Sequence, residues 1–421
     1  MNLNTSVDVV VIGAGPAGLM AAGQAASQGA SVLLLEKKDR PALKLRITGK
    51  GRCNVTNTAD RTDFFTHFGR EGRFLHHAFG VFFSQELLDF LNKLGVETES
   101  ERGGRIFPKS NDANEVADAL VQWTKSLHVK LLLKHRVIEI KRDASGITGV
   151  RVQTGDEVHT IQTRRVILAT GGASYPGTGS TGDGFQFAKT LGHSLVAIRP
   201  ALVPLETAGP IAKQLQGLSL KNAGVTVRIS GKKEMEAFGE MLFTHFGVSG
   251  PIILTLSKGI VRALSEKKPV ELGIDLKPAL DEQKLDARLL REIQEHPKQQ
   301  LKSMMKTLLP QKMIDVCLEQ NGLDPQKMLH EFSKEERKRL RNWLKSFGLV
   351  VSGHRPIAEA IVTAGGVDLK EVDAKTMESK KCPGLYLAGE VLNLDGDTGG
   401  YNLQAAFSTG WLAGRSSFSR K

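Results

Sequence analysis

Residues 7–36 constrain the chain most. They read Val7-Asp8-Val9-Val10-Val11-Ile12, then Gly13-Ala14-Gly15-Pro16-Ala17-Gly18, then an alanine-rich run, then Ser31-Val32-Leu33-Leu34-Leu35-Glu36. Short unbroken apolar runs bounded by turn residues predict strands buried on both faces. The order is therefore strand, G-x-G-x-x-G turn, helix, strand. Gly13 permits the tight turn, Gly15 lets a pyrophosphate approach the backbone, and Gly18 lets helix and strand pack closely. Ala17 shares this turn and joins the candidate contacts. The helix start offers free N–H groups and a positive dipole end to phosphates. Glu36 stands 18 residues after Gly18. A carboxylate at that strand end accepts ribose hydroxyls, which favours an unphosphorylated ribose, as in FAD or NAD, over NADP.

At 421 residues the chain calls for two or three domains. Its charge is mixed and its apolar fraction ordinary, so it is globular rather than disordered. The start lacks the basic and apolar regions of a secretory signal. No apolar run reaches the about 18–20 residues that span a bilayer. Cys53, Cys317 and Cys382 are far apart and form no C-x-x-C, which speaks against a disulfide framework or zinc site and fits a reducing cytoplasm. The eleven histidines have no metal-binding spacing, so no metal is expected. A formal charge of +12 fits solubility and attraction to a polyanion such as RNA equally well.

After Glu36 comes a polar turn, Lys37-Lys38-Asp39-Arg40-Pro41. The segment 43–57 contains Thr48-Gly49-Lys50-Gly51-Arg52-Cys53-Asn54-Val55-Thr56-Asn57, which fits no amphipathic period and reads as a loop. It is either a turn-rich connector or a site. Residues 71–95 read as one helix whose phenylalanines face a core. Asn111 or Asp112 caps a helix running to about Leu127. Residues 129–133, 136–140, 149–152 and 158–161 read as a small meander. Val166-Ile167-Leu168-Ala169-Thr170-Gly171-Gly172 is another buried strand, ending in small residues. The stretch 177–184 looks like a phosphate loop but lacks the closing G-K-[ST], and Asp183 is expected to cap a helix over 185–191.

From about Ser194 the texture changes. Residues 202–205, 218–229 and 270–276 are strand-like, 241–251 is glycine-rich and aromatic with His245 inside it, and 252–264 is a predicted helix. Residues 279–346 have a helical pattern broken at Pro297, Pro310, Gly322 and Pro325. The basic run 334–341 there is a solvated helix face or an RNA-facing patch. Strand character returns at 349–351 and 359–363. Pro383-Gly384-Leu385-Tyr386-Leu387-Ala388-Gly389-Glu390 is a last buried strand, and Gly399-Gly400-Tyr401-Asn402 opens a helix over 403–412. A second polar-cofactor contact at that helix start is physically natural. The expected architecture is α/β: a discontinuous Rossmann-like dinucleotide domain (1–193 and 363–421) with an inserted, mainly β domain (194–278 and 347–362) and a small helical domain (279–346). No second complete G-x-G-x-x-G is present, so a nicotinamide donor needs to dock transiently.

The segments Gly13 to Gly18 with Glu36, Thr48 to Asn57, Met241 to Pro251, and Gly389-Glu390 with Gly399-Gly400-Tyr401-Asn402-Leu403-Gln404 together resemble the bacterial BaiN/YhiN-type FAD-dependent oxidoreductases. The resemblance spans essentially the whole chain. The family includes proteins described as aminoacetone oxidase, a bile-acid-pathway flavoprotein and ribosomal RNA dihydrouridine synthases. Here Lys50 separates Gly49 from Gly51, where the family often carries a further glycine.

The resemblance implies that the inserted β domain is β-barrel-like and that FAD lies extended. Gly13, Gly15 and Gly18 grip the pyrophosphate, Glu36 the adenosine ribose with Lys37 beside it, and the strand around Val137 edges the adenine. Thr170 and Gly171 pack near the dinucleotide, with Gly389 and Glu390 as further contacts. Thr48, Gly49, Gly51, Arg52, Cys53 and Asn54 border the isoalloxazine ring with Gly400, Asn402, Leu403 and Gln404. It further implies a cycle in which NAD(P)H reduces FAD and flavin N5 passes hydride to an electron-poor C=C. Uridine in ribosomal RNA is the leading acceptor and a small amine or enone the alternative. Cys53 is a candidate proton donor, or simply a small residue packed on the ring; Thr48, Lys50, Arg52 and His245 are its rivals.

Overall fold

The computed structural model describes residues 6–418. They form two compact units: Ala201–Glu359, and the chain on either side of it, up to Pro200 and from Ala360.

The flanking unit is built on a five-stranded parallel sheet. Its strand order is Leu385–Leu387, Val166–Leu168, Val9–Ile12, Val32–Leu35, Lys130–Leu132. Every residue of Val9–Ile12 and Val32–Leu35 is buried, as strands covered on both faces require. The sheet joins the two chain ends, because Val166–Leu168 pairs with both Val9–Ile12 and Leu385–Leu387. The helices Pro16–Ser27 and Tyr401–Ser417 pack together with unusual closeness. A Cβ on Gly410 would stand 2.3 Å from Ala17 O, and one on Gly414 2.3 Å from Ala21 O.

Three expectations for this unit are corrected. The strand at 129–133 is Lys130–Leu132 and extends the parallel sheet; the antiparallel meander is Arg136–Asp143, Gly146–Thr154 and Glu157–Gln162. The helix expected over 71–95 is three pieces, a 3₁₀ turn Gly69–Leu75 and the helices His76–Val81 and Ser84–Lys93. Phe82 and Phe83 take extended backbone so that both rings are buried, and Glu86 restarts the helix by accepting from Phe83 N at 3.0 Å. Asp183 does not cap its helix. Gly182 holds the N-cap position at φ 82°, and Asp183 is the first residue of Asp183–Thr190.

The inner unit contains a closed six-stranded barrel, in the order Leu205–Thr207, Gly247–Ser249, Lys232–Phe243, Ser219–Ile229, Val270–Asp275, Phe347–His354. Sequence periodicity missed the 12-residue strand Lys232–Phe243, whose run of exposed Lys and Glu hides its pairing with Ser219–Ile229. The helices between 282 and 345 are not a separate body. Leu285, Leu289, Met304, Ile314 and Leu340 share one buried core with barrel residues Val225, Leu272 and Phe347.

Candidate functional site

The glycine turn follows the strand Val9–Ile12 at the carboxyl edge of the parallel sheet, where ligands of open α/β sheets lie. Gly13 has φ 99°, and a Cβ there would lie 2.6 Å from Ala169 O. A Cβ on Gly18 would lie 1.8 Å from Gly13 O, inside any tolerable contact. Above Gly15 there is nothing within 4 Å. Two glycines thus close the turn while the middle one leaves its backbone approachable. Pro16 opens the helix, no acid sits in the first turn, and the first intrahelical bond is Leu19 N to Gly15 O at 2.9 Å. The earlier N–H groups and the positive end of the dipole are therefore available to an anion.

Glu36 faces this turn. Its carboxylate accepts from Ala14 N and from Lys38 N, each at 2.9 Å. Gly179 of the second glycine-rich loop comes close to it, since a Cβ there would be 3.8 Å from Glu36 Oε1. Lys37 ties that loop down by donating to Asp183 at 2.9 Å and to Thr181. Ala17 and Gly389 also meet, a Cβ on Gly389 falling 2.9 Å from Ala17 Cβ. Thr170 Oγ1 is buried without a protein partner and is turned toward Gly184. Gly171 has φ 71° and lies against Ser180. Val137 is buried within the antiparallel meander, opposite Val152.

Between 48 and 54 the backbone is tightly coiled. Thr48 Oγ1 donates to Leu45 O at 2.8 Å and closes the short helix Leu43–Ile47, which the loop reading missed. Gly49, Lys50, Gly51 and Cys53 all have φ between 60° and 86°. For Lys50 and Cys53 that conformation is uncommon and marks a constrained loop. Arg52 is held by Asn111 at 2.6 Å and by Glu101, with its guanidinium 4.2 Å over the Phe107 ring. Cys53 is fully buried, and burial pushes its thiol up to about 12. Asn54 Oδ1 is buried and accepts from nothing in the protein.

The loop meets the last helix through its final residues. Thr56 Oγ1 donates to Gln404 Oε1 at 2.6 Å, and Asn57 Nδ2 donates to Gly399 O at 3.0 Å. Gly400, at φ 98°, is required here because a Cβ would stand 2.3 Å from Thr56 O. The first intrahelical bond is Gln404 N to Gly400 O at 3.1 Å, so the N–H groups of Tyr401, Asn402 and Leu403 precede it. The Asn402 side chain is spent on the preceding loop, bonding Gly396 N and Gly396 O at 2.8 Å each. Tyr401 stacks on His67 with centroids 3.8 Å apart, and His67 Nδ1 lies 2.8 Å from Asp397 Oδ2.

Lys44, Ser174 and Thr363 were invisible in the sequence. Lys44 Nζ lies 2.8 Å from Glu390 Oε2, while Ser174 Oγ and Thr363 N donate to Glu390 Oε1 at 3.2 and 2.7 Å. Burial opposes ionisation of Glu390, but Lys44 and Thr363 overcome it and hold the carboxyl below its ordinary range. His245 belongs to the inner unit, in the turn before Gly247–Ser249, with its ring 5.0 Å from Phe246.

These residues fit an extended dinucleotide. The open backbone over Gly15 and the free helix start suit a pyrophosphate, Glu36 suits a ribose, and the orphaned Asn54 Oδ1 and the N–H groups from Tyr401 suit a polar ring system. Among the described residues no group of three His, Cys, Asp or Glu side chains could hold a metal ion, and no helix is long and apolar enough to cross a membrane.

This fold and its relatives define a FAD-dependent oxidoreductase. More narrowly, the chain belongs to the HI0933-like family, whose model, described as the HI0933-like protein Rossmann domain, matches residues 7–416. It is 31% identical over 407 residues to the ribosomal RNA dihydrouridine synthase of Escherichia coli, covering 96% of each chain. It is 33% identical over 414 residues to the 3-dehydro-bile acid delta(4,6)-reductase of Clostridium scindens, covering 97% of this chain and 98% of the relative. Among solved structures, the 3-ketosteroid-delta4-(5alpha)-dehydrogenase of Rhodococcus jostii superposes with a TM-score of 0.53 at 16% identity, covering 99% of this chain and 98% of that one, a likeness of fold.

Proposed function

We propose that the chain holds FAD and reduces a carbon–carbon double bond conjugated to a carbonyl, with uridine in ribosomal RNA as the acceptor and NAD(P)H as the donor. The observation that carries this is the near full-length match to relatives named for reductions of that kind, on a chain whose glycine turn 13–18 leaves its middle backbone open to a dinucleotide. Bound FAD supplies the hydride chemistry.

The residues divide the remaining work. Gly13, Gly15, Ala17, Gly18 and the helix start bind the pyrophosphate, and Glu36 exchanges its bond to Ala14 N for the adenosine ribose, with Val137 at the adenine edge. Glu390 and Lys44, with Gly389, Thr170 and Gly171 nearby, hold the middle of the cofactor. Thr48, Gly49, Gly51, Asn54 and the backbone of Gly400, Asn402 and Leu403 border the ring, where helix N–H groups stabilise negative charge. Gln404 acts by fixing Thr56. Arg52, clamped by Glu101 and Asn111, shapes the loop. Cys53 stays protonated across the physiological range, so it is either a proton donor or a packing residue. Within this unit Thr48, Lys50 and Arg52 remain the alternative donors.

The test is nucleoside mass spectrometry of ribosomal RNA from a deletion strain. One dihydrouridine should disappear and return on complementation. An unchanged profile overturns the RNA assignment. The bile-acid reductase relative favours a second reading, a small enone as acceptor. In that case the purified protein, reduced anaerobically with NADPH, is reoxidised by small enones in the absence of RNA.

A further inference from the structure

The inner unit carries a charge-sorted helix, Glu282–Glu295. At about 100° per residue, Lys284, Ala287, Arg288 and Arg291 fall within one face, and Glu282 and Asp286 lie roughly opposite Arg291 and Lys284. The acidic face is neutralised inside the unit. Asp286 accepts from Arg337 at 3.0 Å and lies 3.5 Å from Arg341, which also stands 3.7 Å from Glu282. Two of the five cations in the conspicuous basic run 334–341 are thereby spent on ion pairs.

The opposite face is not neutralised in this way. Lys284, Ala287, Arg288 and Arg291, with Leu280, line a cavity of about 510 Å³ that no acidic side chain enters. Lys284 has one carboxylate neighbour, Asp281 at 3.4 Å. Arg288 donates only to a carbonyl, Thr307 O at 3.3 Å, and Arg291 makes no ion pair among the described residues. Glu295 follows one turn beyond and lies outside the lining. Lys277 adds a further cation. Burial, then the neighbouring Arg288, hold its ammonium below the ordinary lysine range. Crowded cations with only one carboxylate, Asp281, beside them create a positive potential that an anion relieves.

We propose that this face is a docking surface for the phosphate backbone of RNA. The inference rests on the RNA reading above and names where the polymer is held. Lys284 to Arg291 spans about 10 Å along the helix axis, enough to meet more than one phosphate. Two guanidiniums offer the planar forks that suit phosphate oxygens. Leu280 is the one large apolar side chain in the lining, which suits a phosphate backbone better than an apolar partner.

The test uses the flavin-loaded full chain and fluorescently labelled bacterial ribosomal RNA fragments, with affinity followed by anisotropy from 50 to 300 mM KCl. The variants are Lys284→Gln/Arg291→Gln, which spares the Arg288 bond to Thr307, and the same pair with Arg288→Gln. Lys232→Gln/Lys233→Gln on the barrel turn is the charge-matched control. Each lost phosphate contact should flatten the salt slope by about 0.7–0.9, so the double variant should lose about 1.5 and bind about ten-fold or more weakly at low salt. The control should match the parent, and an unchanged flavin absorbance shows that the variants fold. Parent-like slopes in both variants overturn the docking surface. If dihydrouridine still disappears in the deletion strain, the RNA reading stands without it. Failure of the parent to bind RNA also overturns the surface, and an unchanged nucleoside profile overturns the RNA reading separately.

Discussion

The Lys44 ammonium lies 2.8 Å from the Glu390 carboxylate across 346 residues of sequence. The pair joins the helix before the glycine-rich loop to the end of the last parallel strand, and Ser174 and Thr363 complete its hydrogen bonds. Four distant segments are fixed by one carboxylate at the carboxyl edge of the sheet.

Replacing Lys44 by Met removes the main counter-charge and leaves a partly buried carboxylate. Full burial of such an orphan costs about 3–5 kcal/mol. With the side chains 25% and 20% exposed, a loss of about 2 kcal/mol is expected in urea unfolding. Lys44→Met combined with Glu390→Gln should be less destabilised than Lys44→Met alone, because the unpaired charge is gone. Equal losses in the single and double variants would show that the ion pair is not what couples these segments.

Glu36 should discriminate cofactor binding from folding. Glu36→Gln keeps an acceptor for Ala14 N and loses the charge, whereas Glu36→Ala loses both. The ratio of flavin to protein absorbance after purification should fall slightly in the first and strongly in the second. The far-ultraviolet spectra should match the parent. Full flavin occupancy in Glu36→Ala would remove this residue from the cradle.

Cysteine accessibility offers a third check. Cys53, Cys317 and Cys382 are all buried, and burial pushes the thiols of Cys53 and Cys317 up to about 12. At pH 8 only about one in ten thousand of such thiols is ionised. The native protein should leave a thiol reagent unreacted over an hour, and all three should react in guanidinium. Rapid labelling of one thiol in the native state would locate an opening in the loop 48–54 or its counterparts.

Stability against acid should depend on Glu371. Burial raises this carboxyl, but Lys381 and the Ser194 backbone lower it more, to about 2. A carboxyl depressed in the folded state stabilises above the unfolded value, near pH 4.3, and loses that contribution as pH falls toward 2. Glu371→Gln should therefore melt below the parent at pH 7. The gap should narrow from about pH 5 downward, stand at about half near pH 3 and nearly close only at about pH 2. A pH-independent gap would mean that Glu371 acts through its hydrogen bonds to His193 and Ser194 alone.

Local chemistry explains what could be read from the chain beforehand. Four of the five parallel strands are unbroken apolar runs, and Gly13 and Gly18 have steric duties that their spacing announces. Glu36 follows from its position at a strand end. The contact of Thr56 and Asn57 with Gly399 to Gln404 was anticipated only as two loops near one ring; the bonds themselves depend on Gly400. Lys44 could not be found. It is one lysine among many, and its partner is brought to it only by strand order. Lys232–Phe243 failed as a strand for another reason: its polar face is solvent-exposed, so its pairing rather than its pattern stabilises it. The basic run 334–341 drew attention by density, yet Arg337 and Arg341 meet acids there, while among the less dense Lys284, Arg288 and Arg291 only Lys284 has an acid beside it, Asp281.

The closeness of Gly410 to Ala17 and of Gly414 to Ala21 has a consequence for synthesis. The helix Pro16–Ser27 is apolar nearly all round, and its backbone-to-backbone partner is made almost 400 residues later. At about 5–20 residues per second, the ribosome leaves that surface without its cover for roughly 20–80 s. The inner unit carries its own barrel and core and can be completed in that interval. The insertion thus emerges as an early folding body within an unfinished host, and the host's final closure waits for the last helix. Until then the nascent chain presents an apolar helix that chaperones are suited to shield.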